Sequence, residues 1–351
     1  MHFQTNSIMS LKIYGKLPSG ERLQRIKSSV NYKDGAFQNL SKTNAMAEDA
    51  SFCKTMKDFL NKPKTVAPIA TIPSVKTDLT KLNSVKPTII WFGHSSYLIK
   101  IDGKTILVDP VFSGNAAPIS FMIKAFKGSN IYGVKDMPNI DVLILTHDHY
   151  DHLDHKTVVD LNSKVKKIVC SLGVGSHLEH WGILKHKVTE LDWWETFEDN
   201  GLSLTSTPAR HFTGRAIKRG QTLWASFILK TTNHNLFLGG DSGYDKHFKT
   251  IGEKHGGFDL AILESGQYNV SWPNIHMMPE ETVQASIDLN AKILLPVHWG
   301  KFALAMHAWN EPIRRVFKKA SELGVNITTP MIGEPVILEE RLPKHTWWET
   351  I

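Results

Sequence analysis

The stretch 140–146, IDVLILT, is a nearly unbroken apolar run of strand length that breaks off into HDHYDHLDH. A run of this kind without polar alternation reads as a strand buried on both faces. The fold must therefore place covering layers above and below it. Four histidines and three aspartates then arrive within nine residues, at the point where such a strand would leave its sheet. Within them His147, His149, Asp151 and His152 form H-x-H-x-D-H. A straight strand sends neighbouring side chains to opposite faces, whereas a loop at its end lets them turn inward together. The two histidines at i and i+2 suit one metal ion, and the Asp–His pair suits a second. Imidazole favours zinc, and carboxylate accepts zinc, manganese or iron. Asp148 and Tyr150 alternate with these residues and are expected to point away. Asp154 and His155 are expected to begin the next helix, with Asp154 as its N-cap.

Four ligands do not complete two metal sites. A dinuclear centre needs further protein groups, including a carboxylate to bridge the ions. Three other apolar runs end in suitable residues: LSLTSTPAR before His211, NLFLGG before Asp241 and KILLPV before His298. Each follows a strand-like segment, so each is expected at a strand end, which is what a site gathered at a sheet edge requires.

The surrounding pattern fits that placement. PTIIWFG, SYLIKIDG and KTILVDPV are short β-rich runs, with IDGK as a hairpin turn. KKIVCS, KVTELD, LWASFILKT, FDLAILE and EPVILEE read as further strands. Helices are expected at DHKTVVDLN, GVGSHLEHWG, PEETVQASIDL and EPIRRVFKKASELG, the third starting at Pro279 and the last stopping at Gly324. Hairpins that give way to alternating strands and helices argue for a mixed α/β sandwich rather than a doubly wound sheet. Residues 1–85 are polar and weakly periodic, apart from an amphipathic helix expected in MAEDASFCKTMKDFLNK and a Pro-rich connector after it. They read as an N-terminal extension packing on a core domain of residues 86–351.

Bulk properties exclude some classes. The chain has 351 residues, 41% of them hydrophobic and 21% charged, enough for a sizeable core. No stretch approaches the ~18 apolar residues of a membrane span, and MHFQTNSIMSLKIYGKLPSG lacks the apolar run of a secretory signal. Two cysteines, Cys53 and Cys170, form no CxxC pair, which fits a reducing compartment and a cytoplasmic location. The net charge of +7 favours anionic partners. Neither a long basic arm nor a second RNA-handling domain is evident, so nucleic acid is not an expected partner.

The order H-x-H-x-D-H, His, Asp, His resembles the metallo-β-lactamase superfamily. WFGHSSYLIKIDGKTILVDPVFS, TPARHFTGR, GGDSGYD, NIHMMPEE, PVHWGKFALAMHAWNEP and NYKDGAFQN narrow the likeness. They resemble the branch of N-acylphosphatidylethanolamine-hydrolysing phospholipase D and its bacterial relatives. The resemblance implies an α/β fold, a four-layer αββα sandwich with a di-metal site at the sheet edge. It implies that His147, His149 and His211 hold one ion, that Asp151, His152 and His298 hold the other, and that Asp241 bridges. It further implies a hydrolase using a hydroxide shared by two divalent ions, zinc by default and iron or manganese as alternatives. Asp151 and His276 are the candidate catalytic residues, with His276 just before a helix N-terminus where an anion would sit. His94, Asp109 and His307 are candidates to orient ligands or to touch substrate. The expected substrate is a phosphodiester, with a small molecule or a phospholipid as partner, peripheral contact with a membrane, and a homodimer. A lactonase or other small-ester hydrolase on the same metal core is the enzymatic alternative. A non-catalytic metal-binding or scaffold module is the alternative from another class.

Overall fold

The computed structural model describes residues 12–82, 85–119, 121–215 and 218–351. Residues 1–11, within the N-terminal stretch read above for a secretory signal, lie outside the described residues. In chain order come α1 (Gly20–Ser28), β1 (Tyr32–Lys33), β2 (Ala36–Phe37), α2 (Phe52–Leu60), β3 (Thr88–Trp91), β4 (Tyr97–Ile101) and β5 (Lys104–Val108). Then follow β6 (Ile140–Leu145), α3 (His155–Leu161), β7 (Val165–Ser171), α4 (Gly175–His180), β8 (Val188–Leu191), β9 (Thr196–Asp199) and β10 (Leu202–Thr207). The rest comprises β11 (Ser226–Lys230), β12 (Asn235–Leu238), α5 (His247–His255), β13 (Leu260–Glu264), α6 (Pro279–Asp288), β14 (Leu294–Val297), α7 (Glu311–Leu323) and β15 (Pro335–Ile337).

Two sheets result, one in the order β15-β3-β4-β5-β6-β7-β8 and the other β14-β13-β12-β11-β10-β9. Each starts from antiparallel hairpins and continues in parallel strands that need longer crossover connections. The β4–β5 turn is Asp102–Gly103, both at positive φ (43° and 77°), as a two-residue hairpin of the I′ kind requires.

The apolar run of β6 shows why four layers are needed. Val142 and Ile144 join the cluster between the sheets with Ile99, Val108, Phe227 and Leu238. Ile140, Leu143 and Leu145 join a second cluster with Val158 and Leu161 of α3 and Leu178 of α4. On the far side, Phe237 and Leu263 pack against Phe248 of α5, Val283 of α6 and Val316 of α7. The order is helices, sheet, sheet, helices: an αββα sandwich.

The expected helix starts and stops appear. The Asp154 side chain accepts from the Lys156 amide at the head of α3, Pro279 opens α6, and Gly324 ends α7 at φ 68°. Two helices had no clear signal in the sequence. α1 buries only Ile26 and is held by Arg22, which pairs with Glu179 and Glu190 at 2.7 Å each. α5 carries Gly252 in its interior, where a Cβ would meet the Asp288 carbonyl oxygen at 2.0 Å. That glycine weakens the helical pattern and lets α5 approach the end of α6. α2 is shorter than the stretch expected to be helical, and the side chain of its first residue lies outside the described residues. Among the described residues no helix is long and apolar enough to cross a membrane.

Candidate metal centre

The chemically distinctive side chains share one topological position. His94 follows β3, Asp109 follows β5, His147 to His152 follow β6, His211 follows β10, Asp241 follows β12, Glu264 ends β13 and His298 follows β14. All lie at carboxyl ends of strands, and both sheets contribute. Three of these residues leave the sheet through left-handed backbone: His94, Asp109 and His298 at φ 53°, 40° and 67°. Non-glycine residues are rarely held there, and such strain concentrates at functional sites.

The seven residues singled out as ligands come together in overlapping groups, all buried except the half-buried His149. His147, His149 and His211 form one, with ligand atoms within 4.8 Å of one another. His94, Asp151, His152 and His298 form another. Asp241 spans them: Oδ2 lies 3.8 Å from Nε2 of both His147 and His211, and Oδ1 lies 3.1 Å from His152 Nε2 and 3.2 Å from His298 Nδ1. Ligands at about 2.1 Å around a tetrahedral ion sit roughly 3.4 Å apart, so these spacings suit a cation. A second observation agrees. His152 Nε2 and Asp241 Oδ1 are buried and near each other, yet neither makes a hydrogen bond. Unsatisfied polar atoms in a protein interior are costly, and a cation between them would satisfy both.

The neighbours fix which ring nitrogen faces the centre. The Ile275 carbonyl oxygen is 2.8 Å from His211 Nδ1, so that nitrogen carries the hydrogen and Nε2 is bare. Asp109 does the same for His152, with Oδ2 2.7 Å from Nδ1. Asp109 also accepts from the Thr146 amide at 2.9 Å and from Thr146 Oγ1 at 2.5 Å, while Oγ1 lies 3.0 Å from His147 Nδ1. One carboxylate thus orients two imidazoles, one directly and one through a hydroxyl. Burial holds His147, His149, His211 and His298 below the usual histidine range, so they are neutral and have a lone pair to give. Burial also opposes charge on Asp241 and Asp151, but the surrounding histidines outweigh it and hold both carboxyls well below the usual carboxylate range.

His94 lies within the buried set, its Nε2 2.8 Å from Asp151 Oδ2. His276 stacks on His298, with ring centroids 5.3 Å apart. His307 stands outside the group: its Nε2 accepts from the Gln267 amide at 2.8 Å and its ring stacks on Tyr268. It shapes the loop that presents Gln267. Asp148 turns away, accepting from the Gly214 amide at 2.8 Å and Thr222 Oγ1 at 2.9 Å. Tyr150, expected to point away as well, instead lines the cavity above the centre, with its hydroxyl donating to the Arg215 carbonyl oxygen.

Three contributors escaped the sequence reading. Glu264 is buried, with Oε2 3.2 Å from His276 Nδ1 and Oε1 accepting from the Met277 amide at 2.9 Å. Burial pushes Glu264 up to about 7 against the pull of His276. Burial lowers His276, but Glu264 more than reverses that and leaves it raised. Both shifts favour keeping a proton on the pair. Glu264 closes the apolar run LAILE as His298 follows KILLPV, so the strand-end rule could have found it. Ser95 Oγ lies 2.7 Å from His298 Nδ1. Asn39, the last residue of NYKDGAFQN, clamps the His211 backbone by donating to its carbonyl (2.8 Å) and accepting from its amide (3.0 Å). Polar residues of such common types carry no spacing signal that would reveal these contacts.

A cavity of about 580 Å³ opens on this floor. Met46, Met56, Phe59, Met122, Phe212 and Trp272 are among its walls, with His149, Asp151, His211, Asp241, His276 and His298 at its base.

An αββα sandwich that gathers histidines and aspartates at the carboxyl ends of both sheets defines a metal-dependent hydrolase of the β-lactamase type. Residues 104–299 match the beta-lactamase superfamily domain, and the chain belongs to the metallo-β-lactamase superfamily. An uncharacterized protein of Mycobacterium tuberculosis is 37% identical over 327 residues, 92% of this chain and 88% of the relative. The N-acyl-phosphatidylethanolamine-hydrolyzing phospholipase D 1 of Caenorhabditis elegans is 32% identical over 228 residues, 61% of this chain and 64% of that protein. Among solved structures, Igni18, a metallo hydrolase from Ignicoccus hospitalis, matches with a TM-score of 0.57 at 18% identity, over 73% of this chain and all of that one.

Proposed function

We propose that the chain hydrolyses a phosphodiester in an amphiphilic substrate, in a phospholipase D-type reaction. On N-acylphosphatidylethanolamine it would yield phosphatidic acid and an N-acylethanolamine. The observation that carries this reading is the apolar wall above the buried histidine and aspartate floor. An alkyl chain would bury that wall, whereas a sugar phosphate or a small lactone would leave it wet. The C. elegans relative, named for this reaction, supports the same substrate class.

His147, His149 and His211 would hold one divalent ion, and Asp151, His152 and His298 the other, with Asp241 between them. Zinc is the default for such a donor set, and iron and manganese accept it. Ions held there would polarise a phosphoryl oxygen and acidify a water. The chain's own residues supply the remainder. Asp151, held by His94 at 2.8 Å, is the carboxylate that would orient the attacking water. His276 has Nδ1 on Glu264, which leaves Nε2 to hand a proton to the departing alkoxide.

The test is a substrate panel with metal-loaded protein: bis-p-nitrophenyl phosphate, N-acylphosphatidylethanolamine in mixed micelles, and acyl lactones. Release of N-acylethanolamine from the lipid is the expected result. Turnover of lactones alone would replace this reading with a lactonase. No turnover of any of the three would replace it with a binding module.

A further inference from the structure

A second cavity, of about 360 Å³, adjoins the apolar one above the metal floor. Ala45, His211, Phe212, Arg219 and Ile275 line both, so they form a common wall between two lobes. The lobes differ in chemistry. Met46, Met56, Phe59 and Met122 line the first, whereas Gln38, Ser41, Lys42, Thr43 and Asn44 line the second. The second lobe holds two cations, Lys42 and Arg219, and no carboxylate among its described lining residues. Lys42 is partly offset from outside the lobe by Glu48 at 3.8 Å. Arg219 is not offset. It lies over the Phe212 ring at 5.1 Å and makes no hydrogen bond or ion pair among the described residues. The other seven arginines all do.

The backbone that carries Arg219 is nevertheless fixed. The Gly220 amide donates to the Thr213 carbonyl oxygen at 3.0 Å, and the Gly220 carbonyl oxygen accepts from the Phe37 amide of β2 at 2.8 Å. A Cβ on Gly220 would meet Ala36 Cβ at 3.0 Å, and one on Gly214 would meet Arg219 Cγ at 3.2 Å. Two glycines thus make room for close packing at the root of this side chain. The stretch NYKDGAFQN has two tasks here: Asn39 clamps His211, and β2 anchors the arginine segment. An unpaired guanidinium on a fixed base beside the metal floor is ready to meet an anion without ordering the chain first.

We propose that the polar lobe is a subsite for the second arm of the substrate, where Arg219 binds an anionic group, a carboxylate or a phosphate. A phosphodiester has two arms. With its phosphorus over the metal floor, an alkyl arm lies in the apolar lobe and a short charged arm in the polar one, whose wall gives an acyl chain little to bury against. Arg219 presents a planar fork that matches either anion through paired hydrogen bonds. The inference rests on the phosphodiester reading above and narrows it: the substrate carries a negative charge beyond that of the scissile group.

Phosphonates, whose C–P bond resists hydrolysis, test the subsite without turnover. Calorimetry on the metal-loaded full chain compares 4-phosphonobutyrate, propane-1,3-diphosphonate and the neutral-tailed pentylphosphonate. Arg219→Gln should weaken one or both anionic-tailed compounds about tenfold more than it weakens pentylphosphonate, the loss of a hydrogen-bonded charge pair. The compound that suffers more tells carboxylate from phosphate. Arg219→Lys should recover part of the loss, because an ammonium keeps the charge without the fork. Lys42→Gln, which touches the polar lobe alone, should weaken the same compounds about twofold to fivefold. Failure of both anionic-tailed compounds to bind, or an equal loss for all three in Arg219→Gln, would overturn the proposal. A loss in Arg219→Gln with none in Lys42→Gln would place the anion in the apolar lobe and overturn it too. A chain that passes these tests yet cleaves no diester refutes the reaction alone. A phosphodiesterase that fails them refutes the subsite alone.

Discussion

Asp109 touches no part of the cavity, yet its replacement should cost the centre a metal ion. Its Oδ1 takes the Thr146 amide at 2.9 Å, and its Oδ2 takes Thr146 Oγ1 and His152 Nδ1 at 2.5 and 2.7 Å. In Asp109→Asn the amide oxygen must stay on the backbone N–H, which can only donate. The new NH₂ group then faces His152 Nδ1, which must accept. The His152 proton moves to Nε2, the atom 3.1 Å from Asp241 Oδ1, and a protonated nitrogen cannot hold a metal. Losing such a carboxylate–histidine partner typically weakens metal binding about 10- to 100-fold. Position 109 has φ 40°, a conformation asparagine tolerates, so the fold should persist. Asp109→Ala is a different perturbation. It strands three buried donors at about 1–3 kcal/mol each and should destabilise the metal-free protein by roughly 3–5 kcal/mol. Competition with a chromophoric chelator measures the first effect, and urea unfolding in chelator measures the second. Asp109→Asn with wild-type metal affinity would refute the claim that Asp109 sets the His152 tautomer.

Three further outcomes are expected. Glu264→Gln should lower kcat for the phosphodiester by about 100-fold with KM and metal content little changed; steady-state kinetics beside metal analysis checks this, and an unchanged kcat would remove the Glu264–His276 pair from the reaction. Lys301 is wholly buried, donates to the Phe92 and Val111 carbonyls, and is drawn down by burial to about 7. Its folded-state value lies below the ordinary one, so between about pH 7 and 10 the unfolded chain binds more protons and stability rises with pH, by at most about 1.4 kcal/mol per unit. Lys301→Met should flatten that slope in urea unfolding across the range, and parallel slopes would contradict it. A Cβ on Gly243 would meet the Asn274 carbonyl oxygen at 2.0 Å, so Gly243→Ala should displace the 274–276 backbone and lower turnover while leaving metal content near normal, which the same two assays read.

Strands ending in chemistry were legible in the sequence because burial on both faces writes an apolar run and the site interrupts it. Thus IDVLILT with H-x-H-x-D-H, and the runs before His211, Asp241 and His298, led to residues that the fold does bring together. Hairpin and capping signals at Asp102–Gly103, Asp154, Pro279 and Gly324 worked for the same reason, since each is a local backbone requirement. What was not legible is long-range and polar. Asn39 reaches His211 across 172 positions, and Ser95 reaches His298 across 203; no local pattern encodes either contact. α5 was hidden by Gly252, whose role is close helix packing rather than helix propensity. His307 sits near a ligand in sequence but stands behind Gln267 in space.

The account stands most directly on one measurement: the metal content of the purified chain by mass spectrometry, with Asp241→Ala beside it. His147, His149, His211, Asp151, His152 and His298 around the two oxygens of Asp241 predict close to two divalent ions per chain, as a di-metal centre of this donor set requires. They predict a sharp fall in Asp241→Ala, with loss of turnover. A chain that holds no metal, or an Asp241→Ala variant that holds as much as wild type, would contradict it.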